Sequence, residues 1–450
     1  MASAAAEERI YALVDYEDSY VQPLIVSALE AALPPELLVF IDNTRQLPSP
    51  DSRLLQWRQY EALDFPHLRA HPSTSLANSY VIRKALIRKH YLSATVAHWL
   101  SKHRRSALAT HVPPSVHFEV DYAEFLDDAL VEAWELKESW ARNAGKAAAE
   151  REWWILKPGM SERGQGIRLF SSEEELQAVF EEWDPPSDDA DEEEDEDDVD
   201  EAGPADGVGT ACPSDADDAT AAQGNGIMTS HLRHFTAQPY IAAPFLLPAP
   251  HPQAGRKFHI RAYVLAVGAL KIYVYRPMLA LFAATAYTAP GHDAASPNDP
   301  DNLGRHLTNT CLQADGARDG SVRAFWSLPD VPSRPGWKDG VFAHVCDSAG
   351  EVFRAAAQSM SVHFQPLPNA FEVFGLDFLV DAAGTTWLLE VNAFPDFAQT
   401  GGELRGVVQG LMEGVVAEAV GGFFGVGRRT ERGEDKGDMV QVLDIDLGRR

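Results

Sequence analysis

Cysteine is scarce in this 450-residue chain: Cys212, Cys311 and Cys346 are few, odd in number and unpatterned. That excludes a disulfide framework and any zinc spacing, and it reads as free thiols in a reducing, cytoplasmic compartment. Long apolar runs are missing too. The longest, such as Ile241 to Ala249, are short and broken by prolines, so no membrane span and no membrane partner are expected. The opening residues, Met1 to Arg9, carry no basic segment followed by an apolar one, so no signal peptide is expected. Internal repeats are absent, as are a Walker A Gly-Lys-Ser/Thr and any Ser-His-Asp or Cys-His arrangement that would argue for a covalent protein nucleophile.

Charge of one sign is also locally absent. Between Phe65 and Phe118 there is no Asp or Glu, while Arg69, Arg83, Lys84, Arg88, Lys89, Lys102, Arg104 and Arg105 stand beside seven histidines. Between Asp184 and Asp218 there is no Lys or Arg but 17 acidic residues, more than half of the net charge of −29. The basic stretch either faces an anionic partner or is a solvated helix surface. The acidic one, Asp184 to Gly226, has too little apolar area to offset its ordering entropy and is expected to be a disordered insertion.

What is present, 45% hydrophobic residues over 450, suffices for two or three domains with their own cores. Apolar runs at Ile10–Val14 and Leu37–Ile41 flank a helical spacing at Tyr20–Leu33, a small β-α-β unit over residues 1–75. A basic helix or helix pair comes next over Tyr80–His103, and one long helix over Tyr122–Lys146. Strands are expected at Trp153–Lys157, Phe235–Tyr240, Lys257–Ala266, Leu270–Arg276, Phe371–Val380 and Thr386–Val391, and a helix at Val341–Val362. Ser171 and Ser172 ahead of Glu174 and Glu175 form a capping pattern. Residues 76–430 then make the main region, and 431–450 a charged, frayed tail.

Three constellations carry chemistry. In Phe371–Asn392 two strands are joined by a turn at Asp381-Ala-Ala-Gly384; if the loop is even-numbered, Asp377 shares a face with Glu390 and Asn392, away from the apolar face of Phe374, Leu376 and Phe378. On this reading Trp387, Leu389 and Val391 occupy the other face, and Leu388 stands with Glu390. Clustered carboxylates in a cleft need a neutralising cation, and hard oxygen donors suit Mg2+; the alternative is an acidic edge without a ligand. Next, Lys157 ends a strand and precedes a loop in which Gly164 and Gly166 let backbone N–H groups approach an anion. In the third, Lys257, His259 and Arg261 project from one face of a strand, and the turn at Val267-Gly268 is expected to return Arg276 to the same cationic side, suited to a transferred phosphoryl group.

These pieces in this order resemble the tubulin–tyrosine ligase family of ATP-grasp ligases. The matching segments are Trp154–Pro158 with Ser161–Ile167, Ala237–Ile241, Gly255–Val264, His306–Asn309, Phe371–Asp377 and Leu388–Ala393. The resemblance implies an α+β fold in which two lobes clamp ATP, preceded by an N-terminal α/β subdomain. It implies metal ligation by Asp377, Glu390 and Asn392, phosphate contacts from Lys157, Arg261 and Arg276, and a covering loop with Arg163, Gly164 and Gly166. Gln238, Tyr240 and Ile241 would form the adenine slot, and Lys257 and His259 would lie on the nucleotide side. Thr308 and Asn309 would lie near the acceptor or amino acid, while Arg83, Lys84, Arg88 and Lys89 would hold an acidic tail such as tubulin's. Cofactors would be ATP and Mg2+, and the product a C–N bond between a carboxylate and the amine of tyrosine or glutamate.

His259 stands where the family usually has aspartate, which opens the identity of the amino acid. The continuation Ala393-Phe-Pro-Asp-Phe397 is similar to the fungal branch, which implies a link to cytoplasmic RNA granules such as processing bodies. Two other readings remain: an ATP-grasp ligase with a non-tubulin acceptor, and an idle scaffold for a protein or RNA.

Overall fold

The computed structural model describes residues 8–159, 164–184, 232–293, 295–308, 321–426 and 437–448. Apart from Asp184, the acidic insertion lies outside these residues, as do Arg163, Asn309, Cys212 and Cys311.

The chain opens with β1 (Ile10–Asp15), α1 (Gln22–Ala32), β2 (Leu38–Phe40), β3 (Arg53–Arg58) and β4 (Ser75–Ala77), a four-stranded parallel sheet in the order β2-β1-β3-β4. The expected β-α-β unit is present with two more strands, and β4 runs across the boundary expected at residue 75. Ala77 bridges Ala370, so this sheet is hydrogen-bonded to the C-terminal half of the chain. A short helix, Lys84–Ile87, leads into α2 (Lys89–Lys102), the pair expected for the basic stretch.

The smaller of the two lobes is an antiparallel sheet, order β5-β8-β6-β7, of β5 (Val116–Glu119), β6 (Trp154–Pro158), β7 (Arg168–Phe170) and β8 (His234–Pro239). Helix α3 (Glu173–Trp183) packs on it through an aromatic core of Phe118, Phe170, Phe180, Trp183 and Phe235. Its start is capped as expected: Ser172 Oγ accepts from the Glu175 N–H, and Glu175 accepts from the Ser171 N–H. The single long helix expected at Tyr122–Lys146 is instead split into Ala123–Phe125, Leu126–Ala129 and Trp134–Asn143. Good intrinsic formers there lack one continuous apolar stripe, so burial of Leu126, Leu130 and Leu136 bends the chain around the lobe.

The large lobe is built on β9 (Phe258–Val267). One edge pairs with β10 (Lys271–Tyr275) and β11 (Leu279–Phe282), which continues to β12 (Val322–Ala324); the other pairs with β13 (Phe371–Val380), itself joined to β14 (Thr386–Ala393). Helix α4 (Trp337–Ser359) covers one face over Ile260, Ala262, Val264, Phe374 and Leu376. Helix α5 (Arg405–Val415) and α1 cover part of the other, over Tyr263, Leu265 and Phe371.

Two expectations about the C-terminal part are corrected. Residues 437–448 hold β15 (Met439–Asp444), which pairs with β10 and buries Leu443. A charged sequence can form an edge strand because only alternate side chains need burial. Among the described residues the helical run Arg405–Phe424 is long and apolar enough to cross a membrane, so Ile241–Ala249 was not the longest apolar stretch. Three polar residues, Gln409, Glu413 and Glu418, hide this run in the sequence, and Val408, Leu411, Met412, Val415 and Val416 lie in the core beside the sheet.

Candidate active site

Alternation along β9 sends Phe258, Ile260 and Ala262 into the core under α4 and leaves His259 and Arg261 on the opposite face, with Lys257 just ahead of the strand. Across the ladder, Asp377 faces Arg261 on one side and Glu390 on the other, and Gly375 faces Asn392.

That alignment is not what the loop length alone dictates. Val380 pairs Thr386 across a five-residue connection, which would oppose Asp377 to Leu389. A bulge between Asp377 and Phe378 shifts the register by one and places Glu390 opposite Asp377. The expected shared face is therefore present, produced by a bulge rather than by an even loop. One consequence differs from expectation: Leu388 turns into the core with Val391, because the extra residue lies between them.

Arg261 donates to both Asp377 oxygens, with Nη2 at 3.0 Å from Oδ2. Asn392 Nδ2 lies 3.2 Å from Asp377 Oδ2 and 3.3 Å from Glu390 Oε1, so it ties the carboxylates together. Gly375 makes room for this: a Cβ there would stand 3.1 Å from Arg261 Cδ and 3.1 Å from Pro395 Cβ. Burial acts to raise the Glu390 carboxyl, but Lys89, with Nζ 4.0 Å away, and Lys157 outweigh it and hold the group below the usual range. Burial acts to lower Arg261, and Asp377 more than restores it.

From the small lobe, Lys157 is buried and donates to Gln238 Oε1 at 2.8 Å; the Gln238 amide in turn donates to Ser115 Oγ at 2.9 Å. Burial pushes Lys157 down to about 8, opposed by Glu390. Lys257 donates to the Tyr240 hydroxyl at 3.1 Å, and that hydroxyl shares a 2.9 Å hydrogen bond with His306 Nδ1. Burial, and then Lys157, push Lys257 down to about 7, while burial and Lys257 push His306 down to about 4. His259 Nδ1 is 2.6 Å from Thr308 Oγ1, and burial lowers this imidazole against the pull of Asp377. Gly164 and Gly166 both take positive φ (82° and 69°), and a Cβ on Gly166 would lie 2.7 Å from Pro158 Cγ.

The site thus gathers Lys157, Gln238, Tyr240, Lys257, His259, Arg261, Thr308, Asp377, Glu390 and Asn392. Ile241, half-buried, directly follows Tyr240. Two expected members lie elsewhere. Arg276 sits on the opposite face, pairing with Asp339 at 3.3 Å and stacking on Trp326 and Phe342. The reason is parity: Val267 pairs Lys271 across three residues, so Arg276 follows the Ala262 face, not that of Arg261. Arg83 is inside the protein, 2.9 Å from the buried Glu372 and stacked on Tyr60, and so is not an open tail-binding cation. Lys84 and Arg88 are half-buried, and Lys89 points at Glu390. Sequence reasoning gave no role to Ser115 or His306; the latter stood in the His306–Asn309 segment, but its link to Tyr240 spans 66 residues.

The donor set fits a hard divalent cation: two carboxylates and an amide on one face, amid more cationic side chains than the carboxylates neutralise. The excess of Lys89, Lys157, Lys257 and Arg261 over Asp377 and Glu390 calls for a polyanion.

Residues 68–424 match the model of the tubulin-tyrosine ligase family. A probable tubulin–tyrosine ligase of Schizosaccharomyces pombe is 43% identical over 94% of each chain. The probable tubulin–tyrosine ligase PBY1 of Saccharomyces cerevisiae is 39% identical over 88% of this chain, which spans 49% of that relative. Among solved structures, the C-terminal domain of Kluyveromyces lactis Pby1, an ATP-grasp enzyme interacting with the mRNA decapping enzyme Dcp2, superposes with a TM-score of 0.67, 33% identity and coverage of 97% of this chain and 99% of that one.

Proposed function

The chain belongs to the tubulin–tyrosine ligase family and has the ATP-grasp fold of an ATP-dependent ligase, and from that premise we propose that it joins the α-amine of an amino acid, tyrosine or glutamate, to a carboxylate on an acidic protein tail such as tubulin's. The observation that carries this reading is the gathering of Lys157 and Lys257, buried, and Lys89 and Arg261, half-buried, around the Asp377–Glu390–Asn392 cluster, more cations than its two carboxylates.

Asp377, Glu390 and Asn392 would hold Mg2+, which would supply charge neutralisation on the phosphate oxygens of ATP. Lys157 and Lys257 would bind the phosphates, and Arg261, fixed by Asp377, would stabilise charge on the γ-phosphoryl group. An acceptor carboxylate oxygen bonds to the γ-phosphorus as the bond to ADP breaks, giving an acyl phosphate. The amine then attacks the acyl carbon, phosphate leaves, and the amine proton passes to solvent. Closure of the lobes would keep water from the acyl phosphate.

The acceptor need not be tubulin. Kluyveromyces lactis Pby1 interacts with Dcp2, which favours a second reading in which the acceptor or partner belongs to the mRNA-decay machinery in cytoplasmic processing bodies. Intact-mass measurement after incubation with Mg-ATP, free amino acids and detyrosinated tubulin tests the first reading, beside an Asp377→Ala/Glu390→Ala control. A mass gain on the tubulin tail, absent from the control, is expected. ADP without a tail adduct would exclude tubulin and leave the ligase; neither product would count against catalysis.

A further inference from the structure

Where α4 begins, its first turn, the turn between β13 and β14 and the segment carrying Phe245 leave a cavity of about 280 Å3. Its walls are core side chains: Phe245 and Trp337, whose ring centroids stand 5.0 Å apart, with Val341 and Val380. Its mouth is framed by Pro335, Gly336 and Gly340, all exposed. Voids in a packed interior are rarely larger than a water molecule. An apolar cavity of about 150 Å3 already admits benzene, so this one has room for one ring and a short polar arm. It lies on the α4 side of the sheet, away from the face that carries Asp377 and Arg261.

The arginine of the lining is a cation without a counter-ion. Arg334 holds its guanidinium 5.3 Å from the centre of the Phe245 ring and lies against the hairpin turn, where a Cβ on Gly384 would stand 2.9 Å from Nη1. Among the described residues this guanidinium makes no ion pair and no hydrogen bond, although three carboxylates are near it in the chain or across the turn. Asp330 is paired with Lys338 at 3.0 Å, and Asp339 with Arg276 at 3.3 Å. Asp381 accepts from the Ala383 and Thr385 N–H groups and from Trp387 Nε1. The lining itself contains no Asp or Glu. A half-buried guanidinium set against an aromatic ring and left without an anion suits a carboxylate, which it can grip with two parallel N–H bonds.

We propose that this cavity is a second ligand site, separate from the nucleotide cleft, and that it takes a small free aromatic carboxylate whose ring lies among Phe245, Trp337 and Val341 and whose carboxylate is bound by Arg334. The ring enters between apolar walls without leaving a polar group unpaired, and the carboxylate supplies the charge that Arg334 lacks. An amine in its place would be repelled by Arg334, and no carboxylate lines the cavity to receive it.

Titration of the full chain with 4-fluorophenylacetate, read by 19F NMR line broadening, tests this beside 4-fluorobenzylamine. The acid should bind, and the amine at least about tenfold more weakly. Arg334→Met, which keeps an apolar stem against Phe245, should weaken the acid by about tenfold or more. Gly340→Leu should do the same by filling the cavity, since nothing stands within 4 Å of a Cβ there and the new side chain meets no clash. A saturating nonhydrolysable ATP analogue with Mg2+ should leave the affinity unchanged, as should Asp377→Ala/Glu390→Ala. Displacement by the analogue would place the acid in the nucleotide cleft and overturn the proposal. Equal binding of acid and amine, wild-type affinity in either cavity variant, or no binding of the acid at millimolar concentration would overturn it as well. The wild-type titrations stand by themselves, so a variant that fails to fold does not block the result.

Discussion

Lys257 is a residue whose environment sets it against its ordinary chemistry. Burial and Lys157 hold its ammonium near 7, so at pH 8 much of it is neutral before a ligand arrives. Phosphate oxygens favour the charged form, so binding of an ATP analogue should take up a proton at pH 8, and affinity should fall as pH rises above 7. Calorimetry in buffers of different ionisation enthalpy would measure the uptake, and Lys257→Met should reduce it. Gly375 makes a second, steric prediction. A methyl there crowds Arg261 and Pro395 at 3.1 Å, so Gly375→Ala should cost about 1–3 kcal/mol in denaturant unfolding and weaken nucleotide binding by displacing Arg261. The shared face of His259 and Arg261 on β9, with Lys257 just ahead of it, was legible in the sequence, because alternation needs only residue order. The partners were not: Tyr240 meets Lys257 across 17 residues and Thr308 meets His259 across 49, while His306 reaches Tyr240 across 66.

At the scale of elements, hairpin parity decides which charged groups share the cleft. The β9–β10 connection turns Arg276 away, whereas the bulge in β13–β14 turns Glu390 in. Arg276→Ala should therefore leave ATP turnover near the wild-type rate and change stability by no more than about 1 kcal/mol, since its ion pair with Asp339 is half-exposed. Arg261→Ala should abolish turnover. Steady-state kinetics of the two variants, side by side, would contradict the face assignment if Arg276→Ala were the damaged one. Loop lengths were visible in the sequence, but where a turn ends and a ladder begins was not, and a one-residue error inverts every side chain after it.

At the scale of the whole molecule, the chain's last described strand returns to the large lobe. Leu443 is buried under α4 beside Ile272, so Leu443→Ala should cost about 2–5 kcal/mol and lower the melting temperature while leaving the nucleotide site's composition intact. The basic stretch is likewise divided by tertiary structure. Arg83 pairs with buried Glu372, so Arg83→Glu should destabilise the fold by about 3–5 kcal/mol, seen in thermal melts, whereas Lys102, Arg104 and Arg105 stay exposed. A charge count cannot distinguish these fates, because burial depends on what packs above a helix. The sequence by itself determined the α/β opening, the strands that carry the chemistry and the family, since periodicity and ordered motifs are local. Only the tertiary structure decided which cations face the cleft, that β15 pairs with β10 at the sheet's edge, and that His259 hydrogen-bonds Thr308 beside Asp377, since register, bulges and cross-lobe contacts are set by packing between residues far apart in the chain.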